Sequence, residues 1–172
     1  MRRGFIINKK WSKVELSGLK WFKIIEKGVP TIFIGQYEHN IDKKGRMFIP
    51  AKFKESMGDS FIVAQGLERK HCLFIYTQSE WSKLEEKISA QPYAKSQKLK
   101  RFLYSGAAEL ECDAQGRILL PLALRQYAEL TDSAVIVGTG ATIEIWNKEN
   151  WEKENMEISS DVVMDILEEI DF

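Results

Sequence analysis

The residues best suited to chemistry in this 172-residue sequence form a cationic motif written twice. Asp42-Lys43-Lys44-Gly45-Arg46 and Asp113-Ala114-Gln115-Gly116-Arg117 start 71 residues apart (113 − 42), and a proline, Pro50 or Pro121, follows each arginine at the same distance. Asp-x-x-Gly is a tight turn: the carboxylate accepts bonds from the backbone ahead of it, and the glycine takes a positive φ. Asp42, Gly45, Asp113 and Gly116 are therefore read as structural turn residues. Such a turn presents an arginine, whose planar fork suits a phosphate oxygen pair or the O6 and N7 edge of guanine. The competing role for Arg46 and Arg117 is a salt link to the aspartate four residues back, which only stiffens the turn. Lys43 and Lys44 reinforce the first motif, with Lys52 and Lys54 just beyond it, whereas Ala114 and Gln115 leave the second electrostatically weaker.

Other chemistries have little to work with. Two histidines, His39 and His71, and two unclustered cysteines offer no spacing for a metal site. Cys72 and Cys112 sit in apolar alternating segments, where buried reduced thiols are expected. His71 and Cys72 are adjacent and point to opposite faces of a strand. Glu85-Glu86 lies on a solvent-facing helix, and no Gly-rich phosphate cradle appears, so an enzyme with a cofactor or small-molecule substrate is not expected. The formal net charge of zero is unevenly spread: residues 1–35 carry eight Lys/Arg against two Glu, giving +6, which leaves −6 on residues 36–172. Residues 40–54 hold five cations against Asp42 alone, and residues 149–172 hold nine acids against Lys153. A basic face on an acidic body steers phosphates towards that face. No apolar run reaches the length of a membrane span and no secretory signal is evident, which points to a cytoplasmic protein without a membrane partner.

The elements around the two motifs repeat as well. "YEHNI" and "AELEC" alternate like half-buried strands before each turn, and "RMFI" and "RILL" form short strands after it. Pro50 and Pro121 suit the first turn of short helices, "PAKFKESM" and "PLALRQYA". Strands "FIVAQ" with "LFIY", and "AVIVG" with "TIEIW", complete each unit of about 45 residues. Thr77 with Glu80 has capping-box spacing, and Asn147 is the equivalent cap in the second copy. A helix is predicted near Ala94–Tyr104 and another over 161–170. Trp81 and Trp151, at equivalent positions, are read as packing residues. The organisation is α+β: an atypical extension (1–31), unit 1 (36–78), a helical linker (79–106), unit 2 (107–150) and an acidic helical segment (151–172). Neither unit closes a core alone; together they form an intrachain pseudo-dimer.

"GQYEHNIDKKGRMFIPAKF", "SGAAELECDAQGRILLP" and "IEIW" with Trp151 resemble the MraZ family, bacterial regulators encoded at the start of the division and cell-wall gene cluster; the resemblance runs from Ile32 to about Trp151. It implies the AbrB-like swapped-hairpin (double-psi) fold, ring-shaped homo-oligomers, and location on the nucleoid. It also implies sequence-specific binding to double-stranded DNA at TGG-containing direct repeats upstream of the protein's own operon, with repression the expected result. Carried onto this chain, Arg46 is the foremost DNA-contacting residue, with Lys44, Lys43 and Lys52 beside it and Arg117 as its counterpart. An alternative is a ring-forming scaffold whose acidic C-terminal "DVVMDILEEIDF" binds a protein while DNA contact is incidental.

Residues 1–31 depart from the family pattern: relatives begin Met-Phe-x-Gly, and here Ile32-Phe33-Ile34-Gly35 stands in that place. They are expected to be the gene's leader read in frame. Trp11 and Trp21 require TGG triplets ten codons apart; Val14-Glu15 as GTG-GAR and Ser17-Gly18 as AGT-GGN insert two more, giving boxes at 0, 10, 20 and 30 nucleotides. One turn of B-DNA is about 10 to 10.5 base pairs, so such boxes share a groove face. Glu26-Lys27-Gly28-Val29 also permits the ribosome-binding sequence AAGGAGT before codon 32. The competing expectation is a genuine basic arm that adds phosphate contacts.

Overall fold

A computed structural model describes residues 32–66, 71–158 and 160–169. The extension 1–31, with the leader or basic arm read there, and the terminal residues 170–172 lie outside the described residues. The elements of the first repeat are β1 (Phe33–Asn40), β2 (Arg46–Phe48), α1 (Ala51–Met57), β3 (Ser60–Gln65), β4 (Cys72–Thr77) and α2 (Gln78–Ser89), followed by α3 (Tyr93–Ser105). The second repeat runs β5 (Ala107–Glu111), β6 (Arg117–Leu119), α4 (Leu122–Tyr127), β7 (Ser133–Gly140), β8 (Thr142–Trp146) and α5 (Lys148–Glu157), followed by α6 (Ser160–Glu169).

Local chemistry accounts for most boundaries. Thr77 caps α2, its hydroxyl accepting the Glu80 N–H at 3.2 Å. Among the described residues the return half of the predicted capping box does not form, and the Glu80 carboxylate pairs with Lys83 at 2.6 Å. Asn147 caps α5 by accepting the Glu149 and Asn150 N–H groups. Pro50 and Pro121 correct the sequence reading by one position. Each occupies the N-cap itself, with ψ of 130° and 142°, and the helix begins at the next residue. That placement lets the Pro50 carbonyl accept from Phe53 and Lys54 at 2.8 and 3.0 Å.

The two repeats exchange strands. The six-stranded antiparallel sheet runs β1-β7-β8-β4-β3-β5, so the first strand of each repeat pairs with the third strand of the other. At the centre, β4 meets β8 from Cys72↔Trp146 to Tyr76↔Thr142. The remaining strands form a separate ribbon in which β2 and β6 pair antiparallel, Met47 opposite Ile118 and each arginine opposite an apolar residue: Arg46↔Leu119 and Phe48↔Arg117. This is the swapped-hairpin pseudo-dimer that the resemblance implies.

One core serves both repeats. Met47 and Ile118, on the inner face of the ribbon, are 0% exposed and pack with Phe33, Phe53, Leu73 and Ile136 among others from both copies. Phe53 of α1 takes edge contacts from the rings of Phe33 (5.5 Å) and Tyr37 (5.2 Å). Outside the main core, Trp81 packs edge-on against Tyr76 and Tyr104, and Trp151 lies 5.8 Å from Trp146. Cys72 is fully buried and Cys112 half-buried, and neither is part of a disulfide among the described residues.

The shared core makes the ribbon the point at which both repeats are most sensitive. Ile118→Ala removes a side chain with no exposed surface and is expected to destabilise the protein by about 2 to 5 kcal/mol. Urea unfolding monitored by Trp fluorescence should show a single transition at lower midpoint, since neither repeat keeps a core of its own.

Candidate nucleic-acid interface

The two turns have the same geometry. Asp42 Oδ1 accepts the N–H groups of Lys44 and Arg46, both at 2.9 Å, and Gly45 closes the turn onto the Asp42 carbonyl at 2.8 Å. Asp113 Oδ1 accepts Gln115 and Arg117 N–H at the same 2.9 Å, and Gly116 closes onto its carbonyl. Gly45 and Gly116 take φ of 84° and 81°, a region L side chains rarely occupy.

Each arginine is held by its own aspartate. Arg46 donates from Nε to Asp42 Oδ2 at 2.7 Å, with Nη2 at 2.6 Å; Arg117 does the same to Asp113 at 2.8 and 2.7 Å. The predicted intra-turn link is therefore present, and it is compatible with recognition. A guanidinium has five N–H donors, and the aspartate engages one on Nε and one on Nη2. Nη1 is not among the atoms paired with the aspartate in either turn. The carboxylates register the same bonds. The Asp42 pKa is held down to about 2, chiefly by the Arg46 N–H and then its side chain, and Asp113 is held to about 2, chiefly by the Arg117 side chain and then its N–H.

Antiparallel pairing of the ribbon brings the two arginines together. Because Met47 and Ile118 point inward, alternation sends Arg46, Phe48, Arg117 and Leu119 to the opposite face. Arg46 and Arg117 line one open surface cleft together with Asp42, His39, Glu38 and Phe48. The Arg117 guanidinium carbon sits 6.0 Å from the Phe48 ring centre. Lys43 and Lys44 are exposed at the tip of the first turn. Lys52 is exposed on α1, and among the described residues it makes no bond to either turn.

The strand exchange also recruits two cations, Arg125 and Lys54, that the sequence reading did not assign to the site. Arg125 of α4 lies over the first turn, where a Cβ on Gly45 would fall 2.6 Å from its Nε, and that Nε donates to the Leu120 carbonyl at 3.1 Å. Lys54 of α1 lies over the second, its Cδ 3.6 Å from a Cβ placed on Gly116. Each turn is thus flanked by a cation from the other repeat. The first remains the more basic, with Lys43, Lys44, Arg46 and Arg125 against Asp42. The second has Arg117 and Lys54 against Asp113, and Glu55 and Asp59 border the cleft it shares with Lys54. The signal available for this pairing is that Lys54 and Arg125 each stand four residues after the proline of their copy; the exposed apolar neighbours Phe48 and Leu119 had none beyond alternation.

Comparison with known proteins places the sequence among relatives of one kind. It matches the MraZ protein family over residues 32–101 and again over 103–169. It is 48% identical over 126 residues to the transcriptional regulator MraZ of Desulforamulus reducens, covering 72% of this chain and 87% of that protein, and equally to the one of Heliobacterium modesticaldum. The transcriptional regulator MraZ of Carboxydothermus hydrogenoformans is 50% identical over 122 residues, 70% of this chain and 84% of the relative.

The lowered aspartate pKa values make a prediction about acid stability. A carboxyl group whose folded pKa lies below its unfolded value contributes stability that is complete above the unfolded value, near pH 4, and lost as pH falls towards 2. Denaturant midpoints should therefore fall on acidification across that window. The Asp42→Asn/Asp113→Asn double variant should start less stable at pH 7 and lose less between pH 5 and 2, because the amides no longer titrate.

Proposed function

The chain belongs to the MraZ family, and from that premise we propose that it is a DNA-binding transcriptional regulator, acting in the cytoplasm on the nucleoid rather than catalysing a reaction. The observation that carries this reading is the β2–β6 ribbon, which presents Arg46 and Arg117 outward from two copies of one turn. The major groove of B-DNA admits a two-stranded ribbon, and an arginine fork matches the O6 and N7 of guanine. Pairing with Asp42 or Asp113 holds each fork in place before contact, so less side-chain freedom is lost on binding. Lys43, Lys44 and Arg125 supply the phosphate contacts that hold the ribbon in register, with Lys52 reaching the flanking backbone.

The target fits the same physics. A TGG box offers adjacent guanines, and each bidentate contact contributes about 1 to 3 kcal/mol of discrimination, too little for tight binding by one ribbon. Direct repeats at one helical turn, engaged by a ring of identical subunits, raise the local concentration of every further contact. The function proposed is therefore repression of the protein's own division and cell-wall operon through TGG-containing direct repeats, by a ring-shaped homo-oligomer.

The test is binding to a duplex carrying TGG boxes at a ten-base-pair period against one with each TGG scrambled, across a salt series. Preference for intact boxes, with affinity falling as salt rises, is the expected result; equal binding to both duplexes overturns the reading. Arg46→Ala should reduce binding far more than Arg117→Ala, by about 5- to 150-fold per engaged box, while leaving the oligomer intact. Equal losses, or disassembly, would reverse the assignment of the first turn as the primary contact.

A further inference from the structure

The outer face of the β2–β6 ribbon holds two kinds of side chain. Met47 and Ile118 turn inward, which leaves Arg46, Phe48, Arg117 and Leu119 outside. Phe48 is 47% exposed and Leu119 56%, and neither is part of the shared core. The solvated face of an antiparallel pair ordinarily alternates to polar residues, yet both outward positions not taken by an arginine are apolar here. The two repeats place them at the same step of the motif, since each follows the arginine of its own copy by two residues.

The register makes a mixed pair of each. Arg46 lies directly opposite Leu119, and Arg117 directly opposite Phe48, where Cβ atoms on one face stand about 4.5 to 5.5 Å apart. The Arg117 guanidinium carbon is accordingly 6.0 Å from the centre of the Phe48 ring, and both residues line the cleft that also holds Arg46 and Asp42. Each cation thus has an apolar neighbour donated by the other repeat. Phosphates are held by charge and by hydrogen-bond donors, so they offer an apolar side chain nothing. Base edges do: in the major groove guanine presents its O6 and N7 acceptors, and thymine presents a C5-methyl group. Successive bases are about 3.4 Å apart along a strand, so an arginine and an apolar side chain separated by about 5 Å reach different bases of one short site.

We propose that Phe48 and Leu119 are specificity-determining residues of the ribbon: each packs on the C5-methyl of a thymine beside the guanine taken by its cross-strand arginine, Leu119 with Arg46 and Phe48 with Arg117. The assignment rests on the DNA reading above and deepens it, because it gives a reader to the T of a TGG box, which arginine pairing with guanine leaves unread. Apolar contact with the thymine methyl carries sequence information in itself, since neither guanine nor cytosine presents that group. The methyl and the apolar side chain also shield one side of the guanidinium from water. Its bonds to guanine are stronger in that lower dielectric, so the two contacts reinforce each other.

The test removes only the methyl group. Each thymine of the TGG boxes is replaced by deoxyuridine, which keeps every hydrogen-bonding group of the base, and the affinity of the full chain for the two duplexes is compared at one salt concentration by fluorescence anisotropy. The native protein should bind the deoxyuridine duplex about 4-fold more weakly for each thymine engaged, the effect of burying one methyl group. The Phe48→Ala/Leu119→Ala double variant should bind the two duplexes equally, and should bind the deoxyuridine duplex much as the native protein does, which also shows that it is folded with its arginines in place. If the double variant does not fold, the single substitutions are read in the same way, each lowering the thymine-over-deoxyuridine ratio. A native protein indifferent to deoxyuridine overturns the proposal, as do variants that still distinguish the duplexes as the native protein does. The DNA reading is judged separately: preference for TGG over scrambled boxes, lost with Arg46→Ala, stands whether or not the methyl counts.

Discussion

The whole arrangement depends on the antiparallel pairing of two three-residue strands, β2 and β6, that belong to different repeats. Within its own repeat each is tied only locally among the described residues, Arg46 and Arg117 bonding back to Asp42 and Asp113 across the turn and Met47 bridging to Ile41. Across the exchange, the Ile49 N–H donates to the Gly116 carbonyl at 3.1 Å and the Leu120 N–H to the Gly45 carbonyl at 3.0 Å. Buried backbone groups left unpaired are costly, so the ribbon forms only when both copies contribute. Met47 and Ile118, fully buried beneath it, then join the strand pairing to the hydrophobic core.

Two consequences follow for the site. The alternation that buries Met47 and Ile118 turns Arg46 and Arg117 outward on a common face, so the same pleat that closes the core displays the cations. The exchange also carries α1 and α4 across, so that Lys54 flanks the turn of the second repeat and Arg125 that of the first. The aspartate of each turn has a double role. Its Oδ1 organises the turn through two backbone N–H groups, and its Oδ2 holds the guanidinium. Stiffening the turn and orienting the guanidinium are therefore one interaction, so the link to the aspartate and the proposed DNA contact are not exclusive.

Duplication within one chain frees the two halves to diverge in a way that two identical chains cannot. The first turn carries Lys43 and Lys44 where the second carries Ala114 and Gln115. The first repeat is followed by a basic α3, whereas the second ends in acidic α5 and α6. The fold tolerates both differences because they fall on exposed positions outside the shared core, where charge changes folding energy little and changes partners a great deal.

The sequence by itself determined the repeat, the Asp-x-x-Gly turns, the strand and helix order and the Thr77 and Asn147 caps, because each is set by residues within a few positions of one another. It also marked Arg46 and Arg117 as the residues that could do chemistry. The prolines were misplaced by one position, since a fixed φ suits the N-cap as well as the first turn. Tertiary structure alone decided which strand pairs with which, that both arginines share one cleft, and that Arg125 and Lys54 guard the turns of the opposite repeat. β3 is as good a partner for β1 as for β5 on local pattern. Only burying Phe33, Met47 and Ile118 in a single core, which neither half can close alone, selects the exchange.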